Sequence, residues 1–554
     1  MISVHFNGKD FEVKCPPFDA ERIKGAPDRK WNKKTNTWHV PATRAGAMYL
    51  GQNYSDSEKT NEARAKIKQL KEIKRAESYF PAWFKFKNEP MRHQMEALNQ
   101  TWGNNEIGLF MEMRTGKTFV AINWAAALAM SGEINGMLVI VPNSITLVWE
   151  DQLDEHCPIP VHSHVVRAGD KTRTQRFIED TTTEGFKVLI VGVEALSQGT
   201  AWKYVQSFCS THQIATVVDE SSRIKNATST RTKRVIDFGG GSKYRAILTG
   251  TPVTQGIQDL FAQFKFLNWK IIGVKSEYAF KARYCIMGGF ENRKVIGYRN
   301  IGEIIENTKP YIYQCQAKDV LDLPDKVYEM RLVEPNKTQV RLFKELGDPF
   351  LMATNIDDKI LEAETVLERM IRYQQIAGGV FPYSNEDGGY DWQFIPDKNA
   401  KMNAMVEDIG DLPRGTKVII WAVFRPEIEV IVDHLVQEFG HEAVAQFHGG
   451  VDNEQRKVNV HRFQNNSECL FFVANKAASM GLELSAASVH LFYSRSFSYE
   501  DNIQAEARTN SKNQKANSIL YIDYRINHKI DKDIAKALKM KKSMADYVTG
   551  EMEK

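Results

Sequence analysis

Two blocks of this sequence repeat one pattern, in which short, nearly unbroken apolar runs are separated by segments long enough for a helix. In the first block the runs are GLFMEM (108–113), MLVIVP (137–142), KVLIVGV (187–193), IATVVDE (214–220) and YRAILTG (244–250). In the second they are KVIIWAVF (417–424), EAVAQFH (442–448), CLFFVAN (469–475), VHLFYS (489–494) and SILYIDY (518–524). A strand with one face in water alternates apolar and polar residues, whereas a run that is apolar throughout is buried on both faces. At βαβ spacing this means a parallel sheet with helices on either side. The expected fold class is therefore α/β, with two parallel-sheet lobes.

The rest of the chain divides around these blocks. Residues 1–57 hold short alternating runs broken by Pro and Gly, which predicts a small β-rich module. Within it RKWNKKTNTWHVP (29–41) reads as a hairpin, with Trp31 and Trp38 flanking a polar tip. Residues 58–78 contain neither Pro nor Gly and read as a basic connecting helix. The first lobe is expected over 79–267, a mostly helical insertion or linker over 268–397, and the second lobe with a closing helix over 398–554.

Composition removes several classes. No stretch approaches the ~20 uncharged apolar residues of a membrane span, and the first residues lack the apolar core of a secretory signal. Six cysteines without a C-x-x-C pair point away from a disulfide framework or zinc ribbon and towards a reducing cytosol. The net charge is only +4, yet residues 1–80 carry 16 Lys/Arg against 10 Asp/Glu. Between 22 and 44, Arg22, Lys24, Arg29, Lys30, Lys33, Lys34 and Arg44 face the single acid Asp28. A local basic patch on a nearly neutral chain suits a polyanion held at one place.

Two motifs carry chemistry. MRTGKT (113–118) follows a strand and opens the helical run FVAINWAAALAM, so backbone N–H groups and a helix N-terminus converge where phosphate oxygens would sit. Arg114 and Thr115 join the candidate cofactor-binding residues of this loop, and Gly116 lets the backbone approach closely. Lys117 supplies a point charge to the β/γ-phosphates, and Thr118 offers a hydroxyl to Mg²⁺. A full P-loop signature begins with Gly at position 111, where this chain has Met; a bare GKT also suits a plain surface loop. IATVVDE ends in adjacent acids. Asp219 is placed to hold Mg²⁺ through water and Glu220 to orient or deprotonate an attacking water. A strand ending in Asp-Glu is often just a solvated strand end, but following a GKT loop in the same lobe it becomes a Walker B candidate.

The motifs in order resemble superfamily-two helicases and translocases, most closely the Swi/Snf-type double-stranded DNA translocases. MRHQMEAL (91–98) is similar to the family's Q-type motif, whose glutamine, here Gln94, reads adenine. MEMRTGKT (111–118) resembles DEMGLGKT, with Arg114 where the family usually has Gly. LVIVPNSITLVWEDQL (138–153) is similar to motif Ia, and DESSRIKN (219–226) resembles the form DEAHRIKN with Ser222 in place of His. LTGTPVTQGIQDLF (248–261) is similar to motif III, which links ATP state to lobe geometry. In the second lobe KVIIWAVF resembles motif IV, ASMGLELSAASVHLF (478–492) motif V, and QAEARTNSKNQ (504–514) the QAxxRxxRxGQ of motif VI.

This resemblance implies two RecA-like lobes, ATP and Mg²⁺ as cofactors, and DNA-dependent ATP hydrolysis. It places Gly481 and Gln504 with the nucleotide-binding residues, and aims Arg508 at the phosphates. A second arginine is expected at 511, where this chain has Ser511. Loss of an arginine finger typically costs ~10³–10⁵ in rate, so Ser511 raises the alternative of an ATP-gated nucleic-acid binder with little hydrolysis. The resemblance also implies a DNA groove lined by motifs Ia and III, with Asn143 and Thr251 as members. The run 18–41 resembles the HARP domain of annealing helicases. There Trp31 and Trp38 would stack unpaired bases beside Arg29, Lys30, Lys33 and Lys34; alternatively the two rings fill the module's core. The expected activity is remodelling of branched or forked duplex DNA by rewinding, fork regression or branch migration, in repair or recombination. Stripping proteins from DNA is a further alternative. DNA is the expected partner, the membrane is not one, and a monomer in a bacterial or viral-host cytoplasm, or a nucleus in a eukaryote, is the expected setting.

Overall fold

The computed structural model describes residues 2–71, 79–180, 185–289, 291, 294–348, 353–356, 359–363, 365–385, 389–395, 399–479, 482–509 and 514–548. The chain divides into two units, Met1–Val320 with Met544–Lys554 and Leu321–Ser543.

The first unit begins with a five-stranded sheet built from β1 (Ser3–Phe6), β2 (Asp10–Lys14), β3 (Lys30–Asn32), β4 (Thr37–Pro41) and β5 (Glu58–Lys59), in the order β3-β4-β2-β1-β5. Alternation sends Val4, Phe11, Val13 and Val40 into a small core with Ile23, Leu50 and Tyr54. The 29–41 hairpin forms as expected, with Trp31 opposite Trp38. Residues 58–78 differ from the connecting helix read from sequence. Glu58 and Lys59 pair with β1, and the Asn61–Lys71 helix lays Ala63 and Ile67 into the module's own core. Two apolar residues four apart are enough to make a narrow buried stripe on a helix that is otherwise charged. Residues 72–78 lie outside the described residues.

The main sheet of this unit contains β6 (Glu106–Met111), β7 (Gly136–Val141), β8 (Val161–Val165), β9 (Phe186–Gly192), β10 (Ile214–Asp219) and β11 (Tyr244–Leu248). After a hairpin, β12 (Cys285–Gly288) with β13 (Lys294–Tyr298), the strand β14 (Ile312–Cys315) returns to it. The order is β14-β6-β11-β10-β7-β9-β8, with every pair parallel. Side chains alternate across it. On β7, Met137, Val139 and Val141 enter one core while Leu138 and Ile140 enter the other. Both faces are dry, which is why the runs lack polar interruptions.

The second unit repeats the design with β15 (Asp325–Val333), then hairpins β16 (Ala353–Ile356) with β17 (Lys359–Glu362) and β18 (Val380–Ser384) with β19 (Tyr390–Phe394). Next come β20 (Val418–Trp421), β21 (Val444–Phe447), β22 (Phe471–Ala474), β23 (Val489–Phe492) and β24 (Ser518–Ile526), giving a parallel sheet ordered β15-β24-β23-β20-β22-β21. Val418 and Ile420 enter one core, Ile419 and Trp421 the other.

Residues 268–397 are not the mostly helical insertion the sequence suggests. They include three hairpins, β14 joins the first sheet, and β15 joins the second in register with β24 over its whole length. β15 is an edge strand whose Val327, Tyr328, Met330 and Leu332 are exposed, so it lacks the dry-run signature of its neighbours. Among the described residues no helix is long and apolar enough to cross a membrane.

Candidate functional site

In a parallel sheet, ligands bind beyond the carboxyl ends of the strands. In the first unit β6, β11 and β10 lie side by side, so their C-terminal ends bring together the loop 112–118, the loop after Leu248 and the Asp219–Glu220 pair. The first of these segments lies about a hundred residues or more from the other two in sequence, and strand order gathers them.

The first loop is built to expose backbone. Arg114 has φ +66° and Gly116 φ +85°, and Gly116 stands at the N-cap of the Lys117–Met130 helix. A side chain at 116 would also meet the amide of Gln94, whose nitrogen would lie 2.1 Å from an added Cβ. The helix behind the loop is apolar all round and anchored by the fully buried Trp124. Thr115 donates through its hydroxyl to the Glu112 carbonyl at 2.7 Å. The Thr115 carbonyl faces the Nε2 atoms of His93, at 2.7 Å, and of Gln94, which donates to it at 3.3 Å. Gln94 also accepts from the backbone N–H of Met91 at 2.9 Å, so it both caps its own helix and braces the loop. Lys117 donates to the carbonyls of Met111 at 3.0 Å and Glu112 at 3.4 Å. Thr118, half-buried, follows it in the first turn.

Asp219, the last residue of β10, is 7% exposed. Its Oδ2 accepts from the Trp149 indole at 2.9 Å and its Oδ1 from the Glu220 backbone N–H at 2.9 Å. Burial pushes its carboxyl above the usual range, and the Lys117 ammonium pulls the other way. Glu220 follows with φ +47° and ψ +56°, a left-handed conformation rare for a residue with a Cβ. Hydroxyl and carboxylate oxygens beside a glycine-opened loop are hard donors that suit Mg²⁺, and the Lys117 ammonium suits phosphate.

Of the remaining expected residues, Thr251 lies in the loop after Leu248. Asn143 follows β7, is exposed, and its backbone N–H donates to Glu194 at 2.9 Å. Thr251, expected in a DNA groove, is instead only 7% exposed, and its hydroxyl has no partner among the described residues. In the second unit Arg508 is 8% exposed, donating to the carbonyls of Gln504 at 2.8 Å and Leu482 at 3.1 Å. Gln504 is buried, with its Nε2 3.5 Å from Glu500. Gly481 and Ser511 lie outside the described residues. On the N-terminal hairpin Trp31 is 43% exposed and Trp38 half-buried against the core, with ring centroids 5.1 Å apart and tilted 56°. Lys30, Lys33 and Lys34 are exposed, while Arg29 is half-buried and donates to the Ala26 carbonyl at 3.4 Å.

Sequence reasoning missed His93, Trp149, Lys225, Asp259 and Gln263. Lys225 donates to the Thr254 hydroxyl at 2.6 Å, and Asp259 accepts from the backbone of Thr254 at 2.8 Å and of Gln255 at 2.7 Å. Lys225 and Asp259 fall inside runs that were already conspicuous, so position alone could have flagged them. His93 and Trp149 also fall inside such runs, whereas Gln263 carries no such signal.

The chain matches two family models, the SNF2-related domain over residues 92–377 and the helicase conserved C-terminal domain over 400–513. It is 22% identical over 405 residues to the Chromodomain-helicase-DNA-binding protein 1-like of Danio rerio, covering 72% of this chain and 37% of that protein. It is 26% identical over 439 residues to an uncharacterized ATP-dependent helicase of Mycoplasma pneumoniae, covering 77% and 39%. The chain thus spans roughly two-fifths of the length of these curated relatives. Among solved structures, the Sulfolobus solfataricus SWI2/SNF2 ATPase core in complex with dsDNA aligns with a TM-score of 0.38 and 22% identity, covering 85% of this chain and 95% of that one. With one match running through more than half of its length and the second following directly in its C-terminal part, the chain belongs to the SNF2-related helicase family.

Proposed function

We propose that this protein is an ATP- and Mg²⁺-dependent double-stranded DNA translocase that remodels branched or forked DNA. The observation that carries the reading is the convergence of the Gly116–Lys117 loop and the Asp219–Glu220 pair at the ends of β6 and β10. Lys117 would leave its carbonyl partners for the phosphates, and Asp219 with Thr118 would hold Mg²⁺, which neutralises charge on the β- and γ-phosphates. Glu220 orients the attacking water and accepts its proton. The new bond forms between the water oxygen and the γ-phosphorus as the bond to the β–γ bridging oxygen breaks, giving ADP and phosphate. Gln94 is assigned to the base, and Arg114 and Thr115 to the loop that binds the nucleotide. Gly481, Gln504 and Arg508 are assigned to nucleotide binding by the resemblance of their motifs.

DNA as partner is supported by family membership and by the basic N-terminal hairpin. Exposed Trp31 among Lys30, Lys33 and Lys34 offers one stacking face beside cations, the chemistry that unpaired bases at a fork require. Trp38 is better placed to support that ring than to stack a base itself. Ser511 favours a second reading, an ATP-gated DNA binder with little turnover.

Phosphate release measured with no nucleic acid, single strand, blunt duplex and fork, with Lys117→Ala as blank, tests both. Stimulation by duplex that disappears in the variant supports a translocase, and fork above blunt duplex supports the module's assignment. Release at the blank level on every substrate, with ATP-dependent DNA binding retained, would replace it with the second reading.

A further inference from the structure

Glu220 is held in an unusual backbone conformation, and a residue with φ +47° persists only where its surroundings impose it. On one side the Asp219 carboxylate accepts the Glu220 N–H at 2.9 Å, and on the other the Arg223 N–H donates to the Glu220 carbonyl at 2.9 Å. The next residue, Ser221, is fully buried and its hydroxyl donates to Oε1 of Gln263 at 2.7 Å. Gln263 is 0% exposed, on the Asp259–Ile272 helix. Its Nε2 donates to the Pro252 carbonyl at 2.8 Å and to the Asp259 carbonyl at 2.9 Å.

One buried amide therefore ties the segment after β10 to the segment after β11. A second tie runs parallel to it, from Lys225 to Thr254 and on to Asp259 at 3.0 Å. A leucine or methionine would fill the same space at 263 with no polar group to satisfy, and a buried glutamine is kept without penalty only when all its partners are supplied. Here they are: one donor from Ser221 and two carbonyl acceptors. In the related form DEAHRIKN the residue at the Ser221 position is alanine, which could donate nothing, so serine and glutamine make a matched pair in this chain.

We propose that Gln263 is a positioning residue for ATP hydrolysis, fixing the Glu220 carboxylate through Ser221 and holding it in register with the Pro252–Thr254 loop. The inference rests on the assignment of Glu220 to the attacking water. Gln263 touches no substrate; it sets where Glu220 stands, and small displacements of a reacting group are expensive, since a 1 Å misplacement can cost ~10² in rate.

The test uses the full chain and duplex DNA, with Gln263→Met, Ser221→Ala and the double variant. Gln263→Met keeps shape and removes the hydrogen bonds. The expected result is a fall in kcat of about tenfold or more, with the KM for ATP and the equilibrium affinity for ADP held within about twofold. Ser221→Ala should lower kcat comparably, and the double variant should fall no further than the worse single one, because both cut the same link. A Gln263→Met protein with kcat within twofold of the parent overturns the proposal, as does a loss shared equally with ADP affinity. Should Gln263→Met fail to fold, Ser221→Ala, which deletes one oxygen, decides the matter by the same criteria. Glu220→Gln separates the two levels. If it hydrolyses ATP at the parental rate, the assignment of Glu220 itself fails; if it is inactive while Gln263→Met is fully active, only the positioning role fails.

Discussion

Both parallel sheets have carboxylates buried near the C-terminal ends of their strands, and two of these, Asp219 and Glu427, are held differently. In the first unit Asp219 ends β10; both its oxygens accept hydrogen bonds and the Lys117 ammonium pulls against its desolvation. In the second unit Glu427 lies in the first turn of the Arg425–Phe439 helix that follows β20. Its Oε2 accepts from the backbone of Val423 and Phe424, at 3.1 and 3.0 Å, and from the Ser494 hydroxyl at 2.7 Å. Its Oε1 has no partner among the described residues. Burial pushes its carboxyl up from 4.5 to about 7, with Lys401 a smaller opposing influence. A raised acid is therefore no signature of chemistry by itself. What distinguishes them is company: Asp219 stands beside a glycine-opened loop, whereas Glu427 closes a helix N-terminus and a strand end.

The largest effect expected from this contrast is on turnover. Asp219→Asn should lower DNA-stimulated phosphate release by about 10³-fold, on the scale of losing a preorganised electrostatic group. Glu427→Gln should leave it within about twofold. Equal losses in steady-state assays would erase the distinction between a chemical and an architectural acid.

The next effect is on stability. Because the folded-state carboxyl of Glu427 is raised, the native protein binds its proton more tightly than the unfolded chain. Its contribution is fully present below pH 4.5 and is lost as pH climbs through about 7, by about 3 kcal/mol in total. Chemical denaturation of the parent from pH 4.5 to 8 should show that decline, and Glu427→Gln should flatten it. A parallel decline in both proteins would assign the pH dependence to other groups.

The smallest effect sharpens the comparison by removing one donor from each acid. Trp149→Phe deletes the indole bond to Asp219 and Ser494→Ala the hydroxyl bond to Glu427; each change should destabilise by about 1–3 kcal/mol. Both bonds favour the ionised acid, so both losses raise the carboxyl further. Trp149→Phe should move the acid limb of the hydrolysis pH profile upward, whereas Ser494→Ala should move only the midpoint of the stability decline. A shifted rate profile in Ser494→Ala would mean that Glu427 communicates with turnover after all.

The parts of the site that were legible in sequence are those whose chemistry is local. Gly116, Lys117 and Thr118 must be adjacent to form a loop at a helix start, and Asp219 and Glu220 must end a dry strand, so both motifs are contiguous. Gln263 was invisible because its meaning comes from Ser221 and Pro252, one more than forty residues away and the other across a different strand end. The same reason hid the docking of the N-terminal module. Arg283, chelated by Glu303 at 2.8 Å, donates to the Gly25 carbonyl, and Arg44 donates to the Glu306 carbonyl. Gly273, at φ +72°, leaves a gap so narrow that a Cβ there would lie 2.6 Å from Ala45. Nothing periodic marks such a contact.

Hydropathy alone determined that this chain would make two dry parallel sheets, because a run with no polar interruption cannot leave a face in water. It also put the Gly116 loop and Asp219 at the carboxyl ends of two of those runs, where a parallel sheet binds its ligands. Tertiary structure decided the rest. It recruited β14 and β15 to separate sheets, an assignment set by long-range backbone pairing that an edge strand's composition does not encode. It buried Glu427 against a helix start and a strand end and Asp219 beside the Gly116 loop, and it set Gln263 where three separated segments meet. Each of these depends on which surfaces exclude water together, a property that no single stretch of sequence possesses.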